Sequence, residues 1–245
     1  KKDGDGWLLN GAKYWTSAVD EVDAIMVVAR DEQLDVDGRG KLSLFLVPTD
    51  AEGISKTPIE TALHVPETSF MLYFDNVKIP PEALVGTEGQ GLKHLFSGLN
   101  PERICASAIN NGIARYAIEK GALQAGERKV WGVPIGAHQG VAHPLAAAYV
   151  GVQQARLMTA RAAQLYDEGS AEAGEVANMA KFAAADSSLV ALDQAIQVHG
   201  GNGMALEYGL ADLWFIARLH KTAPVSREMV LNFFAQHSLG LPKSY

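Results

Sequence analysis

QVHGGNGMALEY, residues 197–208, closes a long alanine-rich segment, and its reading decides the fold. From Glu172 to Val198 the apolar residues Ala177, Ala180, Phe182, Ala184, Leu189, Leu192 and Ile196 recur at helical spacing, which predicts a helix with one face in a core. Gly200 ends it. Three glycines in four residues, with Asn202 between two of them, make a turn that takes positive φ and lets a ligand approach the backbone. Beyond the turn stands one carboxylate, Glu207, between Leu206 and Tyr208 and ahead of the apolar run Leu210 to Ile216. Among such neighbours a carboxylate is expected to lose hydration of its charged form and become a more useful base. The glycines end a helix instead of linking a strand to one, so the stretch is not a strand–turn–helix dinucleotide fingerprint.

Upstream and downstream the chain is helical from Gly91 onward. An opening helix covers Gly91 to Leu99, and Asn100-Pro101 reads as an N-cap with proline at the first helical position, so a fresh helix or a kink starts there and runs to about Ala125. Further helices are predicted from His138 to Asp167, Leu210 to Leu219 and Val225 to His237. Long helices with short links indicate an antiparallel bundle. The front of the chain is strand-like instead. Trp7–Asn10 and Ala12–Ser17 flank Asn10-Gly11, a hairpin signal, and strands follow at Asp23–Arg30, Leu42–Pro48 and Ser69–Val77, with an acidic loop from Asp31 to Gly40. Trp15 and Ser17 end the second of these runs. Such strands suggest a small antiparallel barrel or sandwich, and Pro80-Pro81, where strand formers give way to helix formers, divides residues 1–80 from residues 81–245.

The chain has 245 residues, 48% of them hydrophobic, enough for one large core or two modest ones. A net charge of -7 without a Lys/Arg cluster argues against a nucleic-acid surface. No stretch is apolar for long enough to span a membrane. The single cysteine, Cys105, excludes an intrachain disulfide and fits a reducing compartment. The start, Lys1 to Gly6, reads as a polar turn and not as a signal peptide, in the manner of a chain beginning mid-domain. The histidines are scattered without ligand spacing, so no metal site is expected, and no serine has a hydrolase setting.

In these terms the sequence resembles the acyl-CoA dehydrogenase family. Five segments carry the resemblance in order: WLLNGAKYWTS, FDNVKIP leading into LVGTEGQGLK, NPERI, ERKVWGVPIGAHQGV, and QVHGGNG with its EY. The resemblance implies an α+β multidomain fold, a middle antiparallel β domain followed by an antiparallel four-helix bundle, with the family's N-terminal helical domain and the first β strands absent. It also implies an FAD-dependent oxidation of acyl-CoA thioesters of the kind used in fatty-acid β-oxidation. Electrons would pass to an electron-transferring flavoprotein, and the protein would be a homodimer or homotetramer, cytoplasmic if bacterial and in the mitochondrial matrix if eukaryotic.

Residue by residue, the resemblance makes Glu207 the catalytic base and gives Glu102, the carboxylate before Arg103, as the alternative base used in some branches. Trp15 and Ser17 would cover the flavin ring. Arg128, Trp131 and Gln139 would meet the FAD of a neighbouring subunit, and Gln197, His199, Gly200, Gly201 and Thr222 would contact the cofactor as well. Asn100, Glu102, Arg103, Glu207 and Tyr208 would face the acyl-CoA. The sequence departs from the family where Phe215-Ile216-Ala217-Arg218 and His220-Lys221-Thr222 replace the usual Arg-Asp and Glu-Gly-Thr. The same resemblance extends to flavoprotein oxidases and monooxygenases, and to a non-catalytic subunit that completes a partner's flavin site.

Overall fold

The computed structural model of the chain describes residues 1–34 and 38–243. Part of the acidic loop expected at 31–40 lies outside the described residues. The chain forms two compact units, Lys1–Gly98 and Leu99–Tyr245. The compositional change at Pro80-Pro81 precedes that boundary because the intervening loop stays with the strands. The Val85 N–H donates to the Leu44 carbonyl at 2.8 Å, and bridges join Leu42 to Gln90 and Phe45 to Leu84.

The first unit holds β1 (Lys2–Asp3), β2 (Gly6–Ser17), β3 (Ala24–Leu34), β4 (Gly40–Pro48), β5 (Ile54–Ile59) and β6 (Ser69–Ile79). One antiparallel sheet has the order β1-β2-β6-β5, and β3 pairs with β4 in a second. Phe70, Leu72 and Phe74 of β6 alternate inward and meet Leu9, Ile25, Val27, Phe45 and Val47 in a shared core. Asn10-Gly11 is not a hairpin turn. β2 runs through it as one strand against β6, with a register shift between Leu9 and Gly11. Asn10 holds this irregularity by accepting from the Asn76 N–H at 2.8 Å and donating to Asn76 Oδ1 at 3.2 Å. Long-range pairing therefore overrides the dipeptide signal. Sequence reading also missed β5, an edge strand whose Pro58 and mostly exposed residues carry no alternation.

The second unit is helical. α1 (Gly91–Glu127) crosses the boundary and leads to a short hairpin of β7 (Lys129–Val130) and β8 (Val133–Pro134); α2 (Gln139–Asp167), α3 (Ala173–His199), α4 (Asp212–Leu219) and α5 (Arg227–Phe233) follow. α1 continues without interruption past Pro101. Asn100 does not cap a new helix there: its Oδ1 accepts from Arg103 Nη1 at 2.9 Å. Small residues let the helices approach closely. Ala114 and Ala117 of α1, Val152 of α2, Ala191, Leu192 and Ala195 of α3, and Ala217 of α4 form one core. Polar pairs fix the register across it. Asn111 donates to Thr159 Oγ1 at 2.8 Å, and Ser188 donates to Asn110 Oδ1 at 2.8 Å, tying α1 to α2 and to α3. No helix among the described residues is long and apolar enough to cross a membrane.

Candidate functional site

The glycine turn keeps the shape its sequence requires. α3 ends at His199, Gly200 takes φ +60, and Gly200–Met204 and Leu206–Tyr208 each make a single 3-10 turn. A Cβ on Gly200 or Gly201 would meet nothing within 4 Å, so the backbone there is open to approach. Gly203 is different. A Cβ on it would stand 2.6 Å from the Ile196 carbonyl oxygen, so glycine is demanded by the fold itself. Gly203→Ala is accordingly expected to destabilise the protein by about 2 kcal/mol, and Gly201→Ala by much less; thermal midpoints of the two variants check the contrast.

Side chains lock the turn from within. His199, buried, donates from Nδ1 to the Ala195 carbonyl at 2.7 Å and packs edge-on against Tyr208 at 5.4 Å. Asn202 donates to Tyr208 Oη at 2.9 Å, and Tyr116 Oη, from α1, reaches the Tyr208 carbonyl at 3.4 Å. Glu207 projects from this fixed frame. The desolvated setting expected for it is not what the chain provides: Glu207 is exposed, and so are its neighbours Met204 and Leu206, 67% and 75% exposed. These apolar neighbours do not enclose the carboxylate.

A second feature of the same unit gathers residues singled out from the sequence. Trp131-Gly132 turns the β7–β8 hairpin with φ +54 and +85, the two-residue geometry that normally selects Asn-Gly. A bulky residue in this region is uncommon and points to a constraint beyond folding. The indole stands 88% exposed and edge-on to His138 at 5.9 Å. Trp131, His138, Gln194 and Gln197 line a cavity of about 410 Å³ with Val130 and Val141. His138 Nε2 is buried there, without a hydrogen-bond partner among the described residues. Arg128 is exposed at the root of the hairpin, where its carbonyl accepts the Ile135 N–H at 2.8 Å. An indole, an imidazole with a spare nitrogen and two carboxamides suit a polar aromatic group. That donor set fits one portion of a flavin dinucleotide. Sequence reading missed His138 and Gln194; a lone loop histidine gives no periodic signal, and only its place beside Trp131 marks it. Gln139 is exposed and is not part of the cavity lining.

In the first unit Trp15 shows the same unusual backbone as Trp131, with φ +62, at the register shift between Lys13 and Thr16. Its indole is 52% exposed beside Tyr14, and Ser17 pairs with Ser69 at 3.2 Å between hydroxyl oxygens. A cavity of about 420 Å³ in this unit lies between β2 and β3, around Trp7, Lys13, Val27 and Phe45, and includes neither Trp15 nor Ser17. Burial lowers the Lys13 pKa, and its amine donates to the Val28 carbonyl at 2.7 Å.

The NPER segment splits. Glu102 is exposed, whereas Arg103 is buried among the helices. Burial lowers the Arg103 pKa, and the neighbouring Glu102 charge opposes that shift. Behind Arg103 lies Lys181 of α3, only 1% exposed, which donates to the Val225 carbonyl. Burial first and the Arg103 charge second push Lys181 down to about 8, against the pull of Asp186 and Glu228. Between that value and the ordinary 10.5 the unfolded chain binds more protons than the folded one, so this group's contribution to stability rises as pH increases through that window. Urea midpoints at the two ends of the window are expected to show the rise in the native protein and its loss in Lys181→Met. Thr222 is exposed; its Oγ1 accepts from Arg218 Nη1 at 3.3 Å. Among the described residues no group of three or more His, Cys, Asp or Glu is placed to hold a metal ion.

Residues 1–77 match the middle domain, and residues 89–239 the C-terminal domain, of acyl-CoA dehydrogenases. Over the whole chain the sequence is 51% identical to the acyl-CoA dehydrogenase fadE12 of Mycobacterium bovis, and it spans 63% of that protein's length. Over 98% of the chain it is 30% identical to a glutaryl-CoA dehydrogenase of Desulfococcus multivorans, spanning 62% of it. The solved glutaryl-coenzyme A dehydrogenase in complex with glutaryl-CoA superposes with a TM-score of 0.88 at 31% identity, covering 98% of this chain and 61% of that one.

Proposed function

The chain belongs to the acyl-CoA dehydrogenase family, and from that premise we propose that its protein is an FAD-dependent acyl-CoA dehydrogenase in which Glu207 is the catalytic base. The observation that carries this reading is the locked turn: His199, Asn202, Tyr116 and Tyr208 hold the backbone on both sides of Glu207, so the carboxylate leaves a rigid platform. Preorganisation of this kind is what proton transfer from a weak carbon acid requires. Glu207 takes the α-proton of the acyl thioester, and its own backbone N–H is available to the thioester oxygen as negative charge develops there. FAD, when bound, would supply the acceptor for the β-hydrogen, which would leave with its electron pair as hydride. The substrate thus loses one proton to Glu207 and one hydride, and the product is the α,β-unsaturated thioester.

Glu102 is the weaker choice for base because it lacks the glycine-turn setting, GGNG followed by EY, in which Glu207 stands. Arg128, Trp131, Gln139, Gln197 and the open backbone of Gly200 and Gly201 would hold part of the dinucleotide, with His138 and Gln194 beside them. Trp15, Ser17 and Thr222 would meet the flavin, and Asn100, Arg103 and Tyr208 would support the acyl-CoA side. An electron-transferring flavoprotein would take the electrons onward, and the working form would be a homodimer or homotetramer.

The test is an anaerobic panel of straight, branched and dicarboxylic acyl-CoAs mixed with flavin-loaded protein. Bleaching of the flavin absorbance by at least one thioester is expected; retention of full absorbance with all of them contradicts the proposal.

A further inference from the structure

α3 carries three residues that face the connector between α4 and α5, residues 220–226, or Arg227 at the start of α5, and none of them belongs to the residues assigned above. Lys181 donates to the Val225 carbonyl at one end. Asp186, one and a half turns further along the helix, takes Lys221 Nζ at 2.8 Å and Arg227 Nη2 at 3.3 Å. Phe182 offers its ring to the Arg227 guanidinium at 4.6 Å. The connector closes on itself where the Arg227 N–H meets the Lys221 carbonyl at 2.9 Å. Arg103 of α1, Asp186 of α3, His220 of the connector and Glu228 of α5 all act electrostatically with Lys181.

We propose that Lys181, Phe182 and Asp186 are a clamp that positions the connector, and through it Thr222, so that they set cofactor affinity without touching the cofactor. The inference rests on the reading that Thr222 meets the flavin. A buried ammonium is costly unless it is satisfied, and the partly exposed Asp186 carboxylate is held by a cation at each oxygen. Here the satisfying groups all lie on the connector or next to it. Thr222 itself lies between the two anchored points, at Lys221 and Val225, and its N–H is tied to the Leu219 carbonyl at 2.8 Å.

The experiment uses the purified protein with Lys181→Met, Asp186→Asn, Thr222→Val and the Thr222→Val double variants. Amide hydrogen exchange over residues 220–227 is measured without ligand, and FAD dissociation constants by quenching of flavin fluorescence. Exchange in the connector is expected to rise about tenfold or more in Lys181→Met and Asp186→Asn while α2 is unchanged. FAD affinity is expected to fall about fivefold or more in each, and adding Thr222→Val to either is expected to cost nothing further, since both losses run through one residue. Unchanged exchange in the connector overturns the clamp, as do fully additive losses of affinity. Should Lys181→Met fail to fold, Asp186→Asn decides alone, because Asp186 is partly exposed. If Thr222→Val leaves FAD affinity intact while the exchange results are as expected, the flavin role of Thr222 falls and the anchoring of the connector stands.

Discussion

Glu207→Gln is expected to lower acyl-CoA-dependent flavin reduction at least about 10³-fold, within the range contributed by a positioned general base, while FAD remains bound and the thermal midpoint is unchanged. The substitution keeps the size and shape of the side chain and removes its ability to take a proton. Nothing in the described fold depends on the charge, because Glu207 is exposed and, among the described residues, no ion pair or hydrogen bond holds its carboxylate. The frame around it rests on His199, Asn202, Tyr116 and Tyr208 instead. Stopped-flow bleaching under anaerobic conditions, with a circular-dichroism melt on the same sample, measures both halves of the statement. Glu102→Gln supplies the comparison. Its loss of rate is expected to be small, within about tenfold, and the opposite ranking of the two variants assigns the base to Glu102.

The second large effect concerns the cofactor. Arg128→Ala is expected to weaken FAD binding by about 10-fold to 100-fold, since a charge-assisted hydrogen bond contributes about 1.5–3 kcal/mol and each 1.4 kcal/mol is a factor of ten. The guanidinium is exposed at the root of a short hairpin, and the backbone there is held independently by the bond from Ile135 N–H to the Arg128 carbonyl. The loss is therefore expected in affinity and not in folding. Arg128→Lys is expected to recover only part of it, because an ammonium has no planar fork of donors for a pyrophosphate. Isothermal titration of the cofactor-free protein with FAD, at low and at high salt, reads the change; equal affinities in the native protein and Arg128→Ala remove Arg128 from the site.

How much of this was legible beforehand depends on the range over which each feature is decided. The end of α3 at the glycine turn was legible because helical periodicity and a run of glycines are both local signals. The inward alternation of Phe70, Leu72 and Phe74 was legible for the same reason. Asn10-Gly11 misled because its dipeptide preference loses to pairing with a strand more than sixty residues away. Asn100-Pro101 misled as the start of a fresh helix because a proline in a long helix removes a single backbone bond, which the packed remainder of α1 tolerates. β5 left no trace because an exposed edge strand needs no alternation. Lys181 was legible in principle, since it shares a helical face with Ala177, Ala184 and Ser188, and a lysine among buried small residues calls for a partner. The environment of Glu207 was not, because local apolar neighbours do not fix what covers a side chain.

The central claim is that Glu207 takes a proton from carbon, and the solvent exchange of that hydrogen tests it without relying on electron transfer. An acyl-CoA thioester with sulfur in place of the β-carbon and deuterium at the α-carbon is incubated with flavin-loaded protein in ordinary water, and label loss is followed by mass spectrometry. The account predicts steady loss of deuterium with the native protein and with Glu102→Gln, and retention with Glu207→Gln. Loss at the native rate in Glu207→Gln, together with retention in Glu102→Gln, contradicts it.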